Sequence, residues 1–265
     1  MLNKEDVIEN KKKAIKSINK LLESYINSNN PQMLKKANLI SYWMKTFTDY
    51  IGFEEQFDSS RLISYSRGDV IRVNFGFRVG KELGGLHFAV VLDNDNKQSA
   101  DVLTVVPLSS TDGKSVHERS VDLGVELYEK VMATQAVLLK EAEEELGSIR
   151  ELQKTIEQMI EIVNLNDSTA KGAQQDTDTS KIFEHVDEIQ QKIQVLEKER
   201  VLIERNNVEI AKMKSGSMAV INQITTVSKQ RIFTPKKSQD FLYGISMSTS
   251  AMEKINSKIQ KLYCK

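Results

Sequence analysis

Apolar residues recur in steps of three and four through Val7, Ile8, Ala14, Ile15, Ile18, Leu21, Leu22, Tyr25 and Ile26. That is the period of a helix with one buried stripe. Asn27-Ser28-Asn29-Asn30-Pro31 is poor helix sequence and closes the run. A second helical stripe follows through Met33, Ala37, Ile40, Trp43, Met44, Phe47 and Tyr50. From about residue 67 the period changes. Val70 to Phe75 partly alternates, as a half-buried strand does. Gly76, Gly80, Gly84 and Gly85 mark a loop, and Phe88–Leu92 and Val102–Leu108 are continuous apolar runs of core-strand length. Arg119–Leu123 predicts a fourth strand.

The next 90 residues return to helical spacing. Leu139, Ala142, Leu146, Ile149, Gln153, Ile156, Ile160 and Val163 form one heptad-like run, and Ile182, Val186, Ile189, Ile193, Leu196, Arg200, Ile203 and Ile210 form another. Arg200 sits at a seam position among Ile and Leu layers, where it is expected to fix register. A polar linker, Asn166 to Asp178, separates the runs. The expectation is an antiparallel helical hairpin, a coiled-coil arm, whose first helix of roughly 38 residues is about 57 Å long. Strand-like sequence resumes at Met218–Ile221, Gln223–Val227 and Arg231–Phe233, and a last amphipathic helix covers about 247–262. The chain therefore divides into N-terminal helices (1–60), a β domain in two pieces (61–124 and 215–265) and the inserted arm (125–214).

Charge sharpens this division. The 265 residues carry 37 basic and 37 acidic side chains. Neutrality normally argues against a phosphate-bearing partner. Counted by segment, however, the arm holds −7, residues 215–265 hold +6, and the chain outside the arm holds +7. The zero is a cancellation between opposed modules, so a nucleic-acid partner stays open. Self-masking of the basic surface by the arm is one expectation from that opposition. The lone Cys264 excludes an internal disulfide, and no Cys/His cluster has zinc spacing, so no metal or cofactor is expected. No apolar run is long enough for a membrane span. The opening Met-Leu-Asn-Lys-Glu-Asp carries charge where a signal peptide needs an apolar core, and a cytoplasmic protein is expected.

Four blocks carry a family resemblance. Arg67-Gly68-Asp69-Val70-Ile71-Arg72-Val73-Asn74-Phe75 resembles the opening strand of the MazF/PemK toxins. Gly80-Lys81-Glu82-Leu83-Gly84-Gly85-Leu86-His87-Phe88 and the apolar run after it are similar to that family's glycine-rich loop and second strand. Thr104-Val105-Val106-Pro107-Leu108-Ser109-Ser110 resembles the third strand with its hydroxyl, and Asn222-Gln223-Ile224-Thr225-Thr226-Val227-Ser228-Lys229-Gln230-Arg231 resembles a late segment of the family. The resemblance implies an α+β fold: a small SH3-like barrel with a C-terminal helix, here interrupted by the arm and preceded by helices. It also implies metal-independent cleavage of single-stranded RNA, a homodimer, and an antitoxin partner that inhibits growth-arresting activity.

In such cleavage the ribose 2′-OH attacks the adjacent phosphate. A base takes its proton, an acid protonates the leaving 5′-oxygen, and donors hold the charge on the phosphorane. The family's arginine after the double glycine is His87 here, and its third-strand threonine is Ser109. Arginine stabilises charge but carries protons poorly, whereas imidazole does both near neutrality. His87 is thus the candidate acid or base and Ser109 the candidate phosphate donor, with Glu82 to orient His87 or act as base. Candidate RNA contacts are Lys81, Arg72, Ser110, Asn222, Gln223 and Arg231. The competing reading is a catalytically silent barrel that binds nucleic acid or protein, favoured by the missing arginine and by Asn222 standing where the family has an acid. A gyrase poison acting near DNA is a third reading, with no residue to support it.

Overall fold

The computed structural model describes residues 3–111, 113, 115–167 and 176–264. Most of the polar linker in the arm, residues 168–175, lies outside them. Among the described residues there are five α-helices and seven strands, an α+β fold, as the periodicities predict.

Two N-terminal helices come first, α1 (Lys4–Ile26) and α2 (Pro31–Phe53). Each starts on an asparagine: the Asn3 side chain accepts from the amide of Asp6 at 2.8 Å and that of Asn30 from Gln32 at 2.9 Å. Such caps satisfy amides that the first turn leaves open, and Pro31 has no amide to lose. α2 buries Ala37 and Ile40, while α1 buries no residue.

The sheet contains β1 (Val70–Asn74), β2 (Leu86–Val91), β3 (Val102–Ser110), β4 (Ser120–Gly124), β5 (Ser217–Val220), β6 (Thr225–Ser228) and β7 (Ile232–Thr234). Its order is β4-β5-β3-β2-β1-β7, with β6 on β3, and every pairing is antiparallel. β3 is shared: its first half pairs with β6 and its last residues pair with β5. Alternate residues of the same strands feed two cores. Val70, Val90, Val106 and Leu108 join Leu242 and Ile255 on one side, while Ile71, Val73, Ala89, Val91 and Val105 join Tyr65, Val227 and Ile232 on the other. Both faces of β2 and β3 are covered, which is why their sequences read as unbroken apolar runs.

Between β4 and β5 the chain leaves the sheet as α3 (Glu126–Asp167) and returns as α4 (Asp176–Ile210). At 1.5 Å per residue α3 is about 63 Å long. The helices run antiparallel, with the Gln135 amide donating to the Ile203 carbonyl at 3.4 Å. Leu127, Val131 and Ile210 sink into the first core, so the root of the arm is anchored in the sheet domain. The expectation for Arg200 is corrected. Its side chain is 60% exposed and pairs with Glu204 at 3.1 Å, one turn on. The stem of an arginine is long enough to carry its head out of a seam into water. Among the described residues of α4, those buried are Leu196, Asn206 and Ile210.

The last helix, α5 (Thr249–Tyr263), is capped by Ser248 and buries Ala251 and Ile255. Glu126, at the start of α3, accepts from the Ser248 amide at 2.5 Å and from its hydroxyl at 2.9 Å. Burial opposes ionisation of Glu126, but hydrogen bonds from Lys130 and Ser248 outweigh it and hold the carboxyl below its ordinary range. Lys130 in turn donates to the Ser246 carbonyl at 2.6 Å. No helix among the described residues is long and apolar enough to cross a membrane.

Candidate functional site

Antiparallel pairing of β1 with β2 sets Arg72 opposite Phe88 and Val73 opposite His87. Pairing of β3 with β5 sets Ser109 opposite Met218 and Ser110 opposite Ser217. The open end of these strands faces the arm root. There a pocket of about 330 Å³ is lined by Arg72, His87, Ser109 and Ser110 from the sheet and by Tyr128, Lys212 and Lys214 from the arm. Four candidate residues from three separate sequence blocks thus share one concavity. His87, Ser109 and Ser110 are each partly exposed, as groups that meet a solvent-borne substrate must be.

Arg72 is the best-defined group in it. Its guanidinium lies 5.7 Å from the ring centre of Phe88 and 5.4 Å from that of Phe233. Two aromatic rings at that distance attract the cation through cation–π interaction. One edge is engaged: Nη1 donates to Glu209 Oε2 of α4 at 2.5 Å. Glu209 also accepts from Lys212 at 3.0 Å. The Arg72 hydrogen bond, followed by that of Lys212, holds the Glu209 carboxyl below its ordinary range.

The other candidates lie elsewhere. Glu82 stands 3.9 Å from Arg78 and lines a second concavity of about 760 Å³, between the glycine loop and α1 and α2. Gln223 staples that loop, accepting from the Leu83 amide at 3.2 Å and donating to the Lys81 carbonyl at 3.5 Å. Lys81 and Asn222 are exposed beside this staple. Arg231 is turned toward α2: it donates to the Asn74 carbonyl at 2.9 Å and lies 5.3 Å from the Trp43 ring. Burial, then the nearby Arg78, lower its pKa from the ordinary arginine value.

Sequence reading missed the arm's share of the pocket. Tyr128, Lys212 and Lys214, and Glu209 which holds Arg72 and Lys212, lie outside every family-like block, and the heptads around them read as structural. The signal present was the basic Lys212-Met213-Lys214 placed directly after an acidic helix and before a strand.

No curated protein matches the chain. A family model does: residues 66–164 match the one described as PemK-like, MazF-like toxin of type II toxin-antitoxin system. The matched stretch takes in β1 to β4 and most of α3. Over that stretch, a little over a third of the chain, the protein is similar to the PemK-like, MazF-like toxins of type II toxin-antitoxin systems.

Proposed function

We propose that this protein is an endoribonuclease that cleaves single-stranded RNA in the pocket between strands β1, β2 and β3 and the arm root. The observation that supports it is the convergence of Arg72, His87, Ser109 and Ser110 on that one concavity. In this reading His87 serves the proton transfers. It takes the proton of the 2′-OH as that oxygen attacks phosphorus and gives it to the 5′-oxygen as the P–O bond breaks. The products are a 2′,3′-cyclic phosphate and a free 5′-OH. Ser109, with Ser110 beside it, donates hydrogen bonds to the phosphate oxygens, and Arg72 supplies positive charge where the phosphorane gathers negative charge. The nucleophile is part of the substrate, so no metal is called on to make one. Glu82 pairs with Arg78 and acts on the loop rather than on His87. Lys81, Asn222, Gln223 and Arg231 shape the loop and its flank, where further nucleotides would pass. A cytoplasmic homodimer held in check by an antitoxin is the family's usual setting and is proposed here on that basis.

The test is cleavage of a mixed-sequence single-stranded RNA in EDTA by wild type and His87→Ala. Cleavage that persists in EDTA and falls about 10²-fold or more in the variant is expected of a histidine acid or base. Purified protein that binds RNA and leaves it intact from about pH 5 to 8 would instead establish the silent binding module.

A further inference from the structure

The arm brings a carboxylate to the cation that the proposed reaction needs. Arg72 is one of the pocket's lining residues, and its Nη1 already donates to Glu209 Oε2. The side chain of Arg72 is 19% exposed and that of Glu209 is 31% exposed, so the pair is partly shielded from water yet reachable. Phe88 and Phe233 both lie within cation–π distance of the guanidinium, whose N–H groups are where an anion binds. A carboxylate oxygen and a phosphate oxygen are alike in charge and in hydrogen-bond acceptance, and both suit a guanidinium edge. Glu209 is further tied to Lys212, a second cation of the same pocket. One arm carboxylate therefore occupies two positive groups of the site at once.

We propose that Glu209 is a resident competitor for RNA phosphate at Arg72, so that the root of the inserted arm sets the affinity of the site. This rests on the ribonuclease reading and deepens it. RNA binding then exchanges one anion for another on Arg72 and Lys212 instead of filling a bare cationic site. Glu209 acts through Arg72 and is a positioning and affinity-setting residue. The charge opposition between arm and sheet domain acquires a specific contact, one residue beyond which a general repulsion is not needed.

The probe is a fluorescein-labelled 12-nucleotide single strand of randomised sequence with 2′-O-methyl riboses, which lacks the free 2′-OH and cannot be cleaved. Anisotropy titrations compare wild type, Glu209→Gln, Arg72→Ala and the double variant at low and moderate salt. Glu209→Gln is expected to bind about threefold to tenfold tighter, with a salt slope steeper by about 0.7, one more phosphate contact. In the Arg72→Ala background the same change is expected to lose most of that gain, a coupling that a purely structural role would not produce. If wild type binds and Glu209→Gln binds no tighter, this inference falls and the ribonuclease reading stands. A gain that persists undiminished without Arg72 also overturns it, as generic charge. If no form binds the probe and wild type cleaves no RNA, both readings fall together.

Discussion

At the scale of single residues, the Arg72–Glu209 pair makes a claim about stability as well as binding. Glu209 has its carboxyl pKa lowered in the folded chain by Arg72 and then Lys212, from an ordinary 4.5. An acid with a depressed folded value binds fewer protons folded than unfolded. Its contribution is therefore complete above about 4.5 and is lost as pH falls through the folded value. Partly exposed pairs are worth about 1 kcal/mol or less. Urea unfolding of wild type and Glu209→Gln is expected to show a gap of that size at pH 7 that narrows at an acidic pH below about 4.5. A gap that is the same at both pH values would show that the carboxylate's charge contributes nothing. Lys229 shows the opposite fate of a charge in this fold. It is wholly buried, donates to the carbonyls of Lys97 and Gln98 at 3.0 and 3.1 Å, and stands over the Tyr65 ring. Desolvation lowers its pKa, outweighing the attraction of Asp101 and Asp93. In the family-like late segment it therefore serves the sheet, while Arg231 two residues on serves α2.

At the scale of elements, the arm's seam carries an unusual polar layer. Gln135 and Asn206 are buried, and Gln135 Oε1 has no hydrogen-bond partner among the described residues. A buried acceptor left without a donor costs about 1–3 kcal/mol, and the amide's own bond to Ile203 is long at 3.4 Å. Gln135→Leu is expected to stabilise the protein by about 1 kcal/mol, read as a higher midpoint in thermal unfolding followed by helical circular dichroism. A lower midpoint would show that the Gln135 carbonyl finds a donor that matters. The same element marks the limits of sequence reading. Helix periods of 3.6, continuous apolar runs and partial alternation placed α1 to α5 and the seven strands, because burial on a fixed face leaves a periodic trace. The seam layer left none: Gln135 falls outside the apolar steps, and Arg200 kept the spacing while its head went to solvent. His87, Ser109, Ser110 and Arg72 were legible as a set because family-like blocks carried them. Their arm-side neighbours were not, since meeting at a pocket depends on where a helix returns to the sheet and no local period encodes that.

At the scale of the whole molecule, the N-terminal helices are fastened to the glycine loop by one aromatic contact. Trp43 packs so close to Gly76 that a Cβ there would lie 2.5 Å from two atoms of the indole. Around it, Arg231 sits over the ring, and the Gln230 side chain donates to the Tyr50 carbonyl at 2.8 Å. Gly76 also adopts φ +74°, a conformation that costs an L-residue about 1–2 kcal/mol. Gly76→Ala thus faces both strain and overpacking, the latter worth about 1–3 kcal/mol. The ring is the part able to move, because Gly76 is tied on both sides: its amide donates to the Asn74 side chain at 2.9 Å and its carbonyl accepts from Gly85 at 2.7 Å. Trp43 is the chain's one tryptophan, so its emission reports this contact alone. The variant is expected to show red-shifted emission and a loss of about 1–4 kcal/mol in urea unfolding, with sheet circular dichroism retained. The proposed RNA pocket shares no lining residue with this joint, so cleavage by the folded variant should match wild type. Unshifted emission would mean that α2 does not dock on Gly76 in solution. A shift accompanied by lost cleavage would mean that the loop transmits the N-terminal helices' position to His87, and that the two concavities work as one site.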